Sequence, residues 1–239
     1  MDTTEMLTEL QSSHYNIYNE ALTSKIQLSK LDSTLVFLSS NAFYDLDSLI
    51  LLTNNNKIHG TYSLCRNILE KLIYMKYILE ENSLNRAKDF QLANFKLRLN
   101  IYEKAKKLYH DLKSLYTPEE NKEMKIKYKH QKFYASKDKY KWYGGKGINS
   151  ISGLFSYYNE NEFGYFYMKY SGEVHSNDAI SKFLETGGNF QTNEQHDNTE
   201  VIYVAIKAFC DILNLLVKHY NLDDQFTSFN ISTDFTIKI

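Results

Sequence analysis

Residues 58–80 read IHGTYSLCRNILEKLIYMKYILE. Tyr62, Cys65, Leu69, Leu72, Ile73 and Lys76 fall along one stripe when the stretch is wound at 3.6 residues per turn, and Ile68, Met75 and Leu79 widen it. A helix with so broad an apolar face needs neighbours on several sides, so the spacing predicts a central helix in an all-α protein.

The flanking sequence repeats the pattern. Upstream, Leu7, Leu10, His14, Ile17, Tyr18, Ala21 and Leu22 recur every three to four residues and predict an opening helix within 2–30. Asp32 and Ser33 are candidate caps for a second helix over 35–53. It stops at Asn54-Asn55-Asn56, whose short amides favour turns. Downstream, Leu97, Ile101, Ala105, Leu108, Leu112 and Leu115 mark a fourth helix over 84–116, spaced for antiparallel packing or a dimer seam. Thr117-Pro118-Glu119-Glu120 is a helix start, and 137–152 reads as a loop. Two short helices follow at 148–158 and 163–172, separated by the Asn159 to Asn161 turn. After a polar stretch at 186–197, a last long helix over 198–220 confines Lys207, Asp211, Asn214 and Lys218 to a narrow polar strip. From Phe226 the tail alternates imperfectly, as a short strand or docked extended arm would.

Composition agrees. The 239 residues include one proline, Pro118, and nine glycines, with 43% hydrophobic, 24% charged and 15% aromatic residues. No linker or internal repeat is visible, so the expectation is one domain over 1–239: an N-terminal helix (1–30), a long-helix core (31–116), a lysine and aromatic insert (117–147), a segment with a core helix (148–221) and the tail (222–239). The net charge of −1 excludes a globally basic duplex-coating protein and leaves room only for a local patch. The longest run without Asp, Glu, Lys or Arg is thirteen residues, 147–159, below the roughly 18 needed to cross a bilayer, so no membrane segment is expected. The start, Met-Asp-Thr-Thr-Glu-Met, lacks the basic and apolar parts of a secretion signal. Cytoplasmic placement is the expectation. Cys65 and Cys210 sit among apolar neighbours and read as buried thiols.

Phosphate-loop, dinucleotide, His-Glu-x-x-His and Gly-x-Ser-x-Gly signatures are missing, and Gly144-Gly145-Lys146-Gly147 reads as a flexible turn. The other six histidines, His14, His59, His110, His130, His196 and His219, show no close ligand spacing, so neither a metal nor another cofactor is expected. The acidic pairs Glu80-Glu81 and Asp223-Asp224 read as solvated.

Three groups of residues remain for chemistry. Arg66 and Glu70 lie one turn apart at the edge of the apolar stripe, near Tyr62, Tyr74 and Tyr77. Arginine ahead of glutamate is the weaker orientation within one helix, which suggests that one or both reach another element. The bland reading is an ion pair that cross-links helices; the sharper is a site, since both share this signature. Tyr167, Ser171 and His175, with Lys169 between, fall on one helical face. A histidine beside hydroxyls exchanges protons near neutral pH and a cation stabilises developing charge on phosphate, although a histidine at a helix end also serves as cap or core. Residues 118–146 carry nine lysines against four acids, a net charge of +5, interleaved with six rings. Lys141, Lys146 and Trp142 are the candidate contacts to single-stranded RNA, with phosphates on lysine and bases on rings. A solvated lysine face with inward aromatics is the equal alternative.

Leu64-Cys65-Arg66-Asn67-Ile68-Leu69-Glu70, then Trp142, then Tyr167-x-x-x-Ser171-x-x-x-His175, make the chain resemble a bacterial family of helical proteins of unknown function, over about 35–220. That family carries Leu-x-Arg-x-x-x-Glu and, further on, Tyr-Arg-x-x-Ser-x-x-x-His; Met168 stands here in place of the second arginine, with Lys169 next to it. The chain also resembles the HEPN superfamily of helical ribonucleases and toxins. That resemblance implies a HEPN-like helical bundle, a homodimer and a metal-independent endoribonuclease or RNA-binding effector of the toxin or phage-defence type. His175, Arg66, Glu70 and Lys169 would be its catalytic groups, with Tyr167 and Ser171 holding phosphate. The alternative is a noncatalytic helical module that binds a protein or ligand, with Arg66, Glu70 and His175 as a structural network.

Overall fold

The protein is described by a computed structural model that covers residues 3–23, 25–55, 57, 60–108, 122, 142–143, 148–174, 198–226 and 229. Seven helices account for nearly all of them: α1 (Thr3–Leu22), α2 (Lys30–Asn54), α3 (Thr61–Glu80), α4 (Ser83–Leu108), α5 (Ile151–Tyr157), α6 (Asn161–Val174) and α7 (Thr199–Tyr220). No strand occurs among the described residues. The protein is all-α. Most of the 109–147 stretch and of the C-terminal tail lies outside the described residues, and so does the part of the expected fourth helix beyond Leu108.

The chain divides into two compact units. One holds Met1–Leu28, Leu35–Lys76 and Ser150–Ile239; the other holds Ser29–Thr34 and Tyr77–Asn149. The division falls inside α2 and α3 rather than in a linker.

In the first unit α1 packs on α7, and α6 packs on both α5 and α7. α3 is central as its spacing predicts: Cys65, Ile68, Leu69, Leu72 and Ile73 have no exposed surface, and no residue from Thr61 to Leu79 is exposed. α7 buries twelve of its 22 residues. Its polar strip is used rather than left to solvent: Lys207 pairs with Glu162 at 2.7 Å, and the Asn214 amide brackets the Phe229 backbone, donating to its carbonyl at 2.9 Å and accepting from its N–H at 2.8 Å. Both cysteines are buried and free, and burial pushes the Cys210 thiol up to about 12.

α2 is the one described helix long and apolar enough to cross a membrane, with a mean hydropathy of 1.4 over its best window. The expectation of no such segment counted only charge-free runs, and Asp45 and Asp47 interrupt the run without undoing the average. Leu35, Leu38, Ala42, Leu46 and Leu49 recur every three to four residues and are buried. Asp45, on another side, pairs with Lys71 at 2.6 Å. Phe37, Tyr44 and Leu51, on the remaining surface of the helix, stay exposed.

The second unit begins with the start of α2. Its cap is Ser29, not Asp32 or Ser33: the Asp32 N–H donates to Ser29 Oγ at 3.0 Å, and Asp32 Oδ2 accepts from the Ser29 N–H at 3.1 Å. This reciprocal capping box satisfies two donors at the helix start. Arg86 is buried, with its guanidinium 3.9 Å from the Tyr77 ring centre, bonded to the Tyr77 carbonyl and paired with Glu80 at 3.0 Å and Glu81 at 2.8 Å. Glu80-Glu81 is therefore a clamp on a buried cation, and the reading of that pair as merely solvated is corrected.

Glycine is scarce, and asparagine replaces it at helix ends. Asn82, Asn159 and Asn221 have φ of 48°, 56° and 55°, the left-handed region that asparagine tolerates better than other side chains. After α5 the Asn159 N–H reaches the Ser156 carbonyl and the Glu160 N–H the Phe155 carbonyl; after α7 Asn221 and Leu222 reach Lys218 and Val217 in the same way. Both ends are Schellman motifs with asparagine in the usual glycine position.

Candidate functional site

The α3 helix presents Arg66 and Glu70 on one edge, and α6 brings Tyr167 against them. Arg66 Nη2 donates to Tyr167 Oη at 3.1 Å, the same hydroxyl donates to Glu70 Oε1 at 3.0 Å, and Arg66 Nη2 lies 3.0 Å from that carboxylate oxygen. Three polar groups close a small ring. The two charged side chains keep 23% and 21% of their surface, while Tyr167 is buried, with its ring 5.4 Å from that of Phe155. The guanidinium carbon also lies 5.1 Å from the Tyr167 ring centre, within cation–π reach.

Close packing of α5 on α6 sets that position. A Cβ at Gly164 would lie 3.0 Å from Phe155 Cβ, so glycine lets the two helices approach. Arg66 reaches another element, as its weak orientation towards Glu70 implies.

Electrostatics fix the proton positions. Burial opposes the Arg66 charge, but the Tyr167 hydrogen bond and the Glu70 carboxylate outweigh it and raise the guanidinium above its ordinary value. Burial pushes the Tyr167 hydroxyl up as well, assisted by Glu70 and opposed by Arg66. Tyr167 therefore keeps its proton and serves as donor to Glu70. Arg66 Nε is buried and has no hydrogen-bond partner. One donor of a rigid fork is thus unspent.

Residues 32–191 match a family of unknown function, DUF5677, and include both Arg66-x-x-x-Glu70 and the Tyr167 segment. The chain belongs to this family. No curated protein and no solved structure matches it.

The other candidates divide. Lys169 does not join the ring: it holds both oxygens of Glu200, at 2.7 and 3.0 Å, a partner that raises its affinity for the proton. Glu200 also accepts from Tyr170 at 3.2 Å, so α6 and α7 are tied there. Ser171 donates to the Tyr167 carbonyl at 2.7 Å, a bond back into its own helix. Trp142 is 6% exposed and meets Tyr77, Phe90 and Tyr143 edge-on, at 5.6, 5.1 and 5.6 Å between ring centres. Its ring is core to the second unit rather than a platform for a base. His175, Lys141 and Lys146 lie outside the described residues. Among the described residues no group of three or more His, Cys, Asp or Glu is placed to hold a metal ion.

Sequence reasoning missed the role of His14. Its Nε2 lies 3.0 Å from Ser39 Oγ, which Tyr18 Oη meets at 2.6 Å, and burial lowers its pKa to about 4. Placing His14 in the apolar stripe of the opening helix was the available signal.

Proposed function

We propose that the chain is an RNA-directed effector that cleaves its substrate without a metal ion. The supporting observation is the meeting of Arg66 with Tyr167, which brings a cation to the helix that carries Ser171 and that His175 follows in sequence. In this reading His175 removes the 2′-hydroxyl proton, the 2′ oxygen attacks phosphorus, and the 5′ oxygen departs and takes a proton from water, leaving a 2′,3′-cyclic phosphate and a 5′-hydroxyl end. Arg66 stabilises the charge that develops on the phosphoryl oxygens, and Glu70 and Tyr167 hold the guanidinium in place. Lys169 contributes only if it leaves Glu200. Two copies of the chain would complete the site, as the HEPN likeness implies.

Purified protein incubated with RNA and with matched DNA in excess chelator tests the reading. RNA cleavage that is lost in His175→Ala and in Arg66→Gln, with the fold intact, is the expected result. Cleavage of neither polymer, or cleavage only with added metal, ends it. Expression of wild type and His175→Ala in a bacterial host, scored by growth and RNA integrity, gives the same decision in cells.

A second reading has its own support. The ring is charge-neutral, Lys169 is spent on Glu200 and Ser171 on its helix, which is how a structural network in a noncatalytic binding module is arranged. There His175→Ala lowers the melting temperature and changes no RNA.

A further inference from the structure

Away from the Arg66 ring, a groove of about 510 Å³ lies between α1 and α2. Its volume falls in the range of small-molecule sites, roughly 300–1,000 Å³. Five rings form its walls: His14, Tyr15, Tyr18, Phe43 and Tyr44. Tyr15 and Tyr44 are each 65% exposed, large aromatic surfaces that folding leaves uncovered.

Among the described residues that line it, none is Asp, Glu, Lys or Arg. The remaining titratable ring that could carry charge near neutral pH, His14, is held neutral. Its Nε2 lies 3.0 Å from Ser39 Oγ, which also lies 2.9 Å from the Leu35 carbonyl and 2.6 Å from Tyr18 Oη. Burial of the ring, which lowers its pKa to about 4, keeps it uncharged near neutral pH. Gln11, Asn19 and Ser40 supply amides and a hydroxyl along the rim.

From these features we infer that the groove binds a free, uncharged, planar heteroaromatic molecule, stacked on Tyr15 and Tyr44 and hydrogen-bonded along its edge. Neutral walls favour a neutral guest, because a phosphate or carboxylate would be desolvated without a cation to meet it. Rings on both sides favour a flat one. The extent favours a small molecule over a peptide: the α2 wall spans Val36 to Tyr44, about 12 Å at the helical rise.

Saturation-transfer NMR with full-length protein tests the inference, using adenosine, caffeine, indole and quinoline as neutral probes and adenosine monophosphate as the charged counterpart of the first. Transfer to at least one neutral probe is expected, with binding weakened about tenfold or more in Tyr15→Ala/Tyr44→Ala. Both side chains are exposed, so that variant should keep its helical circular dichroism. Ser40→Trp, which fills the groove, gives a second arm should the double variant unfold. The inference is overturned if no neutral probe shows transfer, if the signal survives in the folded groove variants, or if the monophosphate binds as well as adenosine. None of these variants touches Arg66, so the result is independent of RNA cleavage.

Discussion

Arg66 on α3 and Tyr167 on α6, 101 residues apart in sequence, meet at 3.1 Å, and the tyrosine hydroxyl in turn donates a hydrogen bond to Glu70. Each member satisfies a need of the others. The guanidinium gains an acceptor beyond its helical neighbour, and the carboxylate gains a neutral donor.

Removing the hydroxyl alone should be milder than removing the carboxylate. Tyr167→Phe keeps the ring against Phe155 and loses two hydrogen bonds to charged groups, an expected cost of about 1–2 kcal/mol after allowance for partial exposure. Glu70→Ala leaves a half-buried cation with only the tyrosine oxygen, and the cost should rise to about 2–3 kcal/mol. Urea unfolding of both singles and the double checks this: a ring acting as one unit gives a double variant clearly less costly than the sum of the singles. Simple additivity would mean that the three groups are neighbours without coupling.

Trp142 separates a core role from RNA contact. Packed edge-on against Tyr77 and Phe90, it should cost about 3–5 kcal/mol as Trp142→Ala, and considerably less as Trp142→Phe, which keeps a ring. Thermal melting with RNA electrophoretic shift on the same samples distinguishes the roles. A normal melting temperature with lost RNA binding in Trp142→Ala would place the indole on a nucleic-acid surface instead.

Helix positions were legible because period-3.6 patterning is a local property, as α3 and α7 show. What was not legible depended on partners brought by folding. Trp142 in a lysine-rich stretch looks like a stacking residue because composition does not say which way a ring faces. Glu80-Glu81 look solvated until Arg86, beyond the turn at Asn82, folds back on them. The capping box was read one turn late because Asp32 is itself a good cap, and only the position of Ser29 shows that it acts as the third residue. For the candidate site, the Arg66–Glu70 orientation announced a partner on another element. Tyr167 was singled out for its spacing to Ser171 and His175, not as that partner. The groove left almost no trace, since Tyr15 and Tyr44 are ordinary members of two amphipathic helices until those helices lie side by side.

The asparagine helix stops predict easy stabilisation. At Asn159 and Asn221 a Cβ in the left-handed region carries strain that glycine lacks. Asn159→Gly and Asn221→Gly should each raise stability by a few tenths to about 1 kcal/mol despite the added freedom of the unfolded chain, whereas alanine at either position should lower it by about 1 kcal/mol. Chemical denaturation gives the order directly. Alanine matching asparagine would show that the carbonyl bonds, not the backbone conformation, hold these ends.

His14 makes stability depend on pH in a definite window. In the unfolded chain its imidazole titrates near 6.5, but in the folded protein burial lowers that to about 4. Between these values the unfolded state binds a proton that the folded state refuses. The contribution of His14 is therefore complete above about pH 6.5, declines as pH falls towards 4, and changes no further below. Its ceiling is on the order of 3 kcal/mol, from about 1.4 kcal/mol per pH unit of displacement. His14→Gln, which retains a donor for Ser39 but does not titrate, should flatten this part of the profile while preserving more of the fold than His14→Ala. Denaturant midpoints for wild type and both variants between pH 4 and 7.5 measure the slope. If wild type and His14→Gln lose stability in parallel over that interval, carboxylates elsewhere are responsible and the neutral, Ser39-bonded state of His14 is not.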